Sequence, residues 1–213
     1  MTIQYKNFSI TFSPEGKALA ELVSRTLGEN MSRITAFFGL DGIDHCQKII
    51  LYPTAEEYKA HTEKFTEYYS WMIGDTYDGN INLLSLDRCR EAQGHENMTD
   101  EDYIKLILHE FTHICQQQIN PNANGVIWFW EALAQNLSGQ TNADIELTCT
   151  PKELSEDYIN LPGNYAISCK LGRYMLQSFP HERIMEYVRY PEKLMEDTPT
   201  ILSEARNSER SGK

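Results

Sequence analysis

Three residues at a fixed short spacing, His109, Glu110 and His113, have the side-chain types for joint metal and acid–base chemistry. Side chains four positions apart on a helix project from one side, so both imidazoles would face the same point. Two nitrogen ligands from one rigid helix suit a tetrahedral zinc ion. Glu110 is displaced around the helix, where it could take a proton from a zinc-bound water without ligating the metal. The spacing therefore predicts a hydrolytic zinc site with Glu110 as the general base.

The segment that carries this motif has strong helical signals. Thr99 precedes an acidic first turn, which favours a helix start through capping and the helix dipole. An apolar face follows, made by Ile104, Ile107, Leu108, Phe111, Ile114 and Cys115. From this chain's histidine and glutamate content, the motif would arise by chance with a probability on the order of one to two per cent. A packed helix that merely contains two histidines and a glutamate is the alternative, and the apolar context favours the zinc site.

A catalytic zinc ion needs a third protein ligand and an open fourth position. Residues 126–139 predict a second helix, with Gly139 as its C-cap. Glu131 is the only charged residue between Gly125 and Asp144, and an acidic side chain in so apolar a segment needs a partner. A metal ion would be that partner, and a basic residue elsewhere in the chain is the alternative.

The two motifs together resemble a known family. H-E-F-T-H at 109–113 and W-F-W-E-A-L-A at 128–134 match the pattern H-E-x-x-H followed by W-x-x-E-[GA]-x-A. This pattern is similar to that of the gluzincin metallopeptidases, the peptidase MA-like domains related to thermolysin and the aminopeptidase group. One departure is Ala132, where the family often has glycine after the ligand glutamate.

The resemblance implies a complete active site. His109, His113 and Glu131 would bind one zinc ion per chain, and Glu110 would act as the base on a peptide or protein substrate. Residues 164–176 resemble the family's closing helix, in which a tyrosine near the start can face the metal. An oxyanion stabiliser is expected near the metal. Tyr165 is its first candidate, with an ordinary amphipathic core role as the alternative.

Two further side chains are candidates for supporting roles at the site. His181 is the second candidate for the oxyanion stabiliser, because a protonated imidazole could do the same work. Gln135 lies four residues after Glu131 on the same helix face and could hydrogen-bond a ligand histidine.

Hydrophobic spacing predicts the elements that must position these residues. In the first half, the pattern predicts a strand over about residues 3–12, a helix that ends near residue 38 and a strand over 48–52. A helix over 54–65 and a hairpin over 68–87 follow. The first strand changes register near Lys6 and Asn7. Beyond residue 99 the pattern is almost wholly helical. The fold class is therefore α+β and, by the resemblance, zincin-like, with a small mixed sheet and helices, a mostly helical C-terminal lobe, and the zinc site between them.

The hairpin bears on substrate binding. Tyr69, Trp71 and Ile73 predict its first strand, and residues 81–84 its second. The resemblance implies that the strand at residues 81–86 is the edge strand of the N-terminal lobe, along which a peptide lies antiparallel by strand addition.

Length favours one domain over residues 1–213. Within it we expect an N-terminal α/β lobe over 1–98, an active-site and C-terminal helical lobe over 99–202, and a frayed tail over 203–213. The five cysteines are scattered without a C-x-x-C pair, which argues against a disulfide framework or a cysteine zinc site.

Charge and hydropathy narrow the classes of partner. The net charge of -12 repels phosphate backbones, so nucleic acid and anionic membranes are poor partners. Basic or neutral peptides are expected to bind more readily than acidic ones. No stretch approaches ~18 uninterrupted apolar residues, and the first residues lack a secretory pattern, so we expect a cytoplasmic protein.

The sequence thus predicts a zinc metallopeptidase. A catalytically inactive gluzincin-fold module, which binds or regulates, is one alternative, and a zinc hydrolase of a non-peptide amide is another. The choice between endo- and exopeptidase action, the substrate and the oligomeric state are open at this stage.

Overall fold

The computed structural model describes residues 1–44, 47–77, 79–122 and 126–211. The chain divides into two compact units, Met1–Gln118 and Ile119–Lys213. In the described residues, the first unit contains a five-stranded mixed sheet and four α-helices, and the second contains helices without a strand. The predicted α+β class is confirmed. Residues 99–118, which sequence analysis assigned to the C-terminal lobe, group with the first unit.

The first predicted strand is two strands. β1 (Thr2–Tyr5) and β2 (Phe8–Thr11) pair antiparallel, and Ile3 lies opposite Ile10. Lys6 has a φ of 49°, in the left-handed region that reverses a chain within a tight turn. The change of register near Lys6 and Asn7 is therefore the turn of a hairpin.

The next three elements form as predicted. Helix α1 (Lys17–Phe37) is followed by β3 (Gln47–Tyr52), which pairs parallel to β2. Helix α2 (Ala55–Thr62) begins where the Thr54 side chain accepts a hydrogen bond from the backbone N–H of Glu57. The helix ends at Thr62, three residues earlier than predicted.

The second hairpin differs from the prediction in its first strand. Strands β4 (Gly74–Tyr77) and β5 (Asn80–Leu84) form it, and Asp78 in its turn lies outside the described residues. Tyr69 and Trp71 precede β4. Their rings stack at 5.6 Å, and the N–H of Met72 donates to the Tyr69 carbonyl, so this segment is a turn and not a ladder strand.

The strand order β1-β2-β3-β5-β4 corrects the edge assignment. β5 lies inside the sheet, parallel to β3, because the hairpin folds β4 to its outer side. The edge strand is β4, and the expectation that residues 81–86 form the edge is wrong. The N–H of Leu84 donates to Ile73, so hydrogen-bonded pairs alternate along the ladder, and the backbone groups of Gly74 and Thr76 point to the free edge.

Helix α3 (Leu86–Cys89) leads to α4 (Asp100–Ile119), the helix that carries the motif. The hydroxyl of Thr99 accepts from the N–H of Asp102, the predicted cap. The Phe111 ring meets Phe8 of β2 edge-on at 5.9 Å, and the Tyr103 hydroxyl donates to the Leu84 carbonyl. These contacts fix α4 to one face of the sheet.

The second unit consists of helices in its described part. They are α5 (Ile127–Ser138), α6 (Pro151–Glu156), α7 (Asn164–Ser178), α8 (His181–Arg189) and α9 (Pro191–Ser211). Gly139 ends α5 with a φ of 79°, as predicted. At Gly172 an added Cβ would lie 2.7 Å from the Ala132 carbonyl oxygen, so only glycine permits this approach of α7 to α5.

The C-terminal segment is helical in its described part. Residues from Ser203 to Ser211 continue α9, while 212 and 213 lie outside the described residues. Ala205 is buried, and the Arg206 guanidinium donates to the carbonyls of Leu147 and Cys149. These contacts attach the helix to the segment at residues 147–149, and the fraying of the tail over 203–213 stays a prediction.

The cysteines of the described part and its helices bear on two further expectations. Four cysteines fall in the described part and are free and buried: Cys89, Cys115, Cys149 and Cys169. Cys46 lies outside it. Within the same residues, no helix combines the length and apolarity needed to cross a membrane.

Candidate metal centre

The two motif histidines face each other on α4. Their Nε2 atoms are 3.1 Å apart, and their ring planes are nearly perpendicular. Two zinc–nitrogen bonds of about 2.05 Å at a tetrahedral angle separate the nitrogens by about 3.4 Å. The i, i+4 spacing of His109 and His113 therefore yields the approach that a shared zinc ion requires.

Gln116 sets the tautomer of His113. Its Oε1 lies 2.7 Å from Nδ1 of that ring, so Nδ1 donates a proton and Nε2 keeps its lone pair for a metal. Gln135, the candidate that sequence analysis named for such a bond, accepts from Asn142 in the second unit through its Oε1. The signal for Gln116 was present, since it lies three residues after His113 on the same helix face.

Glu110 is a buried carboxyl group, 4% exposed. Burial raises its pKa, and His109, His113 and a hydrogen bond from Thr76 oppose that rise. The Thr76 hydroxyl on β4 lies 2.8 Å from Glu110 Oε2 and 3.2 Å from the Glu110 carbonyl oxygen. Sequence analysis missed Thr76, because the pairing of β4 with β5 and the packing of α4 bring it to the helix.

A second buried carboxyl group lies on the opposite face of β4. Asp75 Oδ1 accepts from the Asn82 side-chain amide at 2.8 Å, and His61 Nε2 is 3.6 Å away. Burial raises the pKa of Asp75, and the hydrogen bonds and His61 oppose the rise. Two carboxyl groups with raised pKa values thus flank one strand.

Glu131 lies on α5 in the second unit, half-buried among apolar side chains. Its charge contributes to the raised pKa of the Tyr158 phenol, for which burial is the larger cause. The phenol oxygen of Tyr158 accepts from the Ser168 hydroxyl at 2.9 Å. Tyr158 is thus a polar neighbour of this carboxylate that sequence analysis did not single out.

Among the described residues, one group of histidine, cysteine, aspartate and glutamate side chains could hold a metal ion. It consists of His109, His113 and Glu131, the three residues predicted as ligands. Two imidazole nitrogens and one carboxylate oxygen are a donor set that zinc accepts in hydrolases.

The two candidates for the oxyanion role lie on the helices of the second unit. Tyr165 is half-buried in the first turn of α7, where its backbone N–H donates to Asn164. His181 is exposed at the first residue of α8. Their roles stay predictions.

Comparison with known proteins does not assign the chain to a family. No family model matches it, and no curated protein is significantly similar to it. The function is therefore inferred from the residues of the candidate metal centre.

Proposed function

We propose that this protein is a zinc-dependent peptidase of the gluzincin type with a zincin-like fold. His109, His113 and Glu131 bind one zinc ion, and Glu110 is the general base. The observation that carries the proposal is the 3.1 Å approach of the two Nε2 atoms beside a buried carboxyl group on the same helix. Gln116 supports it, because it leaves the His113 Nε2 lone pair free for a metal.

The residues of the chain have distinct tasks in this mechanism. A bound zinc ion would supply Lewis acidity that polarises the scissile carbonyl and acidifies water. Glu110 takes a proton from the attacking water and delivers it to the leaving amine. Tyr165, or failing it His181, donates to the developing oxyanion.

The free edge of β4 supports a peptide as the substrate. The backbone N–H and C=O groups of Gly74 and Thr76 point away from β5. The two groups of Gly74 and the N–H of Thr76 can pair with an added strand, while the Thr76 carbonyl accepts from Gln117. The net charge of -12 favours basic or neutral peptides over acidic ones.

Elemental analysis of the purified protein tests the metal site. We expect about one zinc per chain in the wild type and a loss of zinc in His113→Ala. His95→Ala is the matched control, because His95 lies outside the proposed ligand set and its Nε2 contacts the Trp71 carbonyl. A wild type that holds no zinc after incubation with added zinc would disprove the ligand assignment.

Hydrolysis of a peptide library then tests the reaction. The zinc-loaded wild type should cleave peptides, and a chelator should abolish cleavage. Zinc binding without cleavage of peptides would point to the inactive module or, if amide compounds are hydrolysed, to a non-peptide amidase.

A further inference from the structure

Strand β4 touches the proposed base through two alternate residues. Gly74 and Thr76 are two positions apart, so both face α4. The Thr76 hydroxyl lies 2.8 Å from Glu110 Oε2. A Cβ at Gly74 would lie 3.1 Å from Glu110 Oε1 and 3.2 Å from a methyl of Leu106. One residue thus holds one carboxylate oxygen, and the other leaves space for the second oxygen.

We propose that Gly74 and Thr76 form a seat for the Glu110 carboxylate, in which Thr76 is the positioning residue for the base. The catalytic part of this inference rests on the proposed peptidase function. A glutamate side chain has several rotatable bonds, and a bond from a sheet hydroxyl to Oε2 restricts them. Oε1, over Gly74, is then the oxygen that accepts the proton.

The strand that carries the seat is itself held from several sides. The Gln117 side-chain amide on α4 donates to the Thr76 carbonyl at 3.4 Å. On the opposite face, the buried Asp75 accepts from Asn82 of β5. An edge strand has a ladder partner on one side only, so these side-chain bonds contribute rigidity that the sheet alone does not supply. A rigid seat can hold a base within the tolerance that catalysis requires.

The backbone and the side chain of Thr76 have different roles in the proposal. Its N–H faces the free edge, where the proposed substrate strand would pair, its C=O accepts from Gln117, and its hydroxyl holds the base. Removing only the hydroxyl therefore leaves the edge intact. The expected consequence is a lower kcat with an unchanged KM.

The test compares Thr76→Val, which is isosteric and lacks the donor, with Thr76→Ser, which restores it. In the zinc-loaded full chain, kcat on a cleaved library peptide should fall by about 10- to 100-fold in Thr76→Val, with KM and zinc content unchanged. Thr76→Ser should recover most of the loss. Thr2→Val is the matched control, because Thr2 lies on the other edge strand of the same sheet. A Thr76→Val enzyme with wild-type kcat would overturn the proposal.

A second measurement tests the seat without enzyme activity. Urea unfolding of the full chain compares the effect of Thr76→Val in the wild-type background and in the Glu110→Ala background. We expect Thr76→Val to lower the midpoint in the first background and to change it much less in the second. Equal shifts in both backgrounds would show that the hydroxyl does not hold the carboxylate.

The two measurements distinguish the failure of the seat from the failure of the peptidase proposal. Absence of any zinc-dependent hydrolysis by the wild type would contradict the proposed function, and the unfolding comparison would still decide whether Thr76 holds Glu110. Normal hydrolysis with equal midpoint shifts would contradict the seat alone.

Discussion

Acidic groups buried beside the sheet and acidic groups at the surface differ in the direction of their pKa shifts. Asp75 and Glu110, in the first unit, are buried on either side of β4, and burial raises the pKa of each. In the second unit, three carboxylates at least partly exposed to solvent have lowered pKa values, as do Glu96 and Asp102 at the surface of the first unit. Hydrogen bonds from Lys170, Thr150 and Tyr187 are the largest causes for Asp144, Glu153 and Asp197 respectively.

The two directions of pKa shift have different consequences for the folded protein. A buried carboxyl group with a raised pKa reduces the stability of the charged folded state, and such groups concentrate where catalysis uses them. A surface carboxylate bonded to a helix terminus or a lysine contributes modest stability and has no need of a reactive pKa. Glu110, which we propose as the general base, belongs to the buried class.

The largest expected effect comes from Glu110→Gln. Turnover should fall by about 10²- to 10⁴-fold, because the amide cannot carry the proton. Zinc content should stay the same, and stability at neutral pH should not fall, because the variant removes a buried ionisable group. Glu101→Gln, on the exposed side of α4, is the control and should keep full turnover. Undiminished turnover of Glu110→Gln in kinetic assays would contradict the role of Glu110 as the general base. It would also contradict the link between a buried carboxyl group and catalysis.

At Trp128, the second unit should be sensitive to lost packing and not to a lost hydrogen bond. Trp128 is fully buried, and its indole N–H has no hydrogen-bond partner among the described residues. Trp128→Ala should lower the free energy of unfolding by about 3–5 kcal/mol. Trp128→Phe should cost clearly less, because no hydrogen bond is lost. Urea denaturation measures both, and equal losses would show that the indole N–H has a structural role.

Asp75 should give the first unit a pH-dependent stability. Its raised folded pKa means that the folded state binds a proton more tightly than the unfolded state. Asp75 contributes its full stability below 3.8, the ordinary pKa of an aspartate, and this contribution is lost as pH rises through the folded pKa. The free energy of unfolding of the wild type relative to Asp75→Asn should therefore decrease over that window. A difference that stays constant with pH in urea titrations would contradict the buried-charge assignment.

The smallest expected effects concern helix caps. Thr150 and Glu153 form a reciprocal capping box at α6 in the second unit, while Thr54 at α2 in the first accepts a single bond from Glu57. Thr150→Ala should cost about 1–2 kcal/mol, and Thr54→Ala should cost less, about 1 kcal/mol or below. Thermal unfolding compares the two, and the reverse order would show that the bond from the Thr150 hydroxyl to Glu153 Oε2, which Thr150→Ala also removes, contributes nothing.

Local signals predicted much of the fold. The start of α4 after Thr99 and the end of α5 at Gly139 depend on residues close in sequence, and both are confirmed. The errors arose where a pairing partner decides the outcome. Alternation alone could not tell one strand with a register change from two strands joined by a turn at Lys6.

The candidate site divides in the same way. The approach of His109 and His113 follows from helix geometry, and Gln116 belongs to the same local pattern. Thr76 could not be inferred, because it lies 34 residues before Glu110 and reaches it only through the packing of α4 on the sheet.

By itself, therefore, the sequence determined the helix of the motif, the facing imidazoles and the apolar context of Glu131, since short-range spacing specifies them. The tertiary structure alone decided that β4 is the edge strand and β5 is internal. It also decided that Glu110 is buried with a raised pKa against Thr76. Strand order and desolvation depend on which distant segments pack together, and no local pattern encodes that choice.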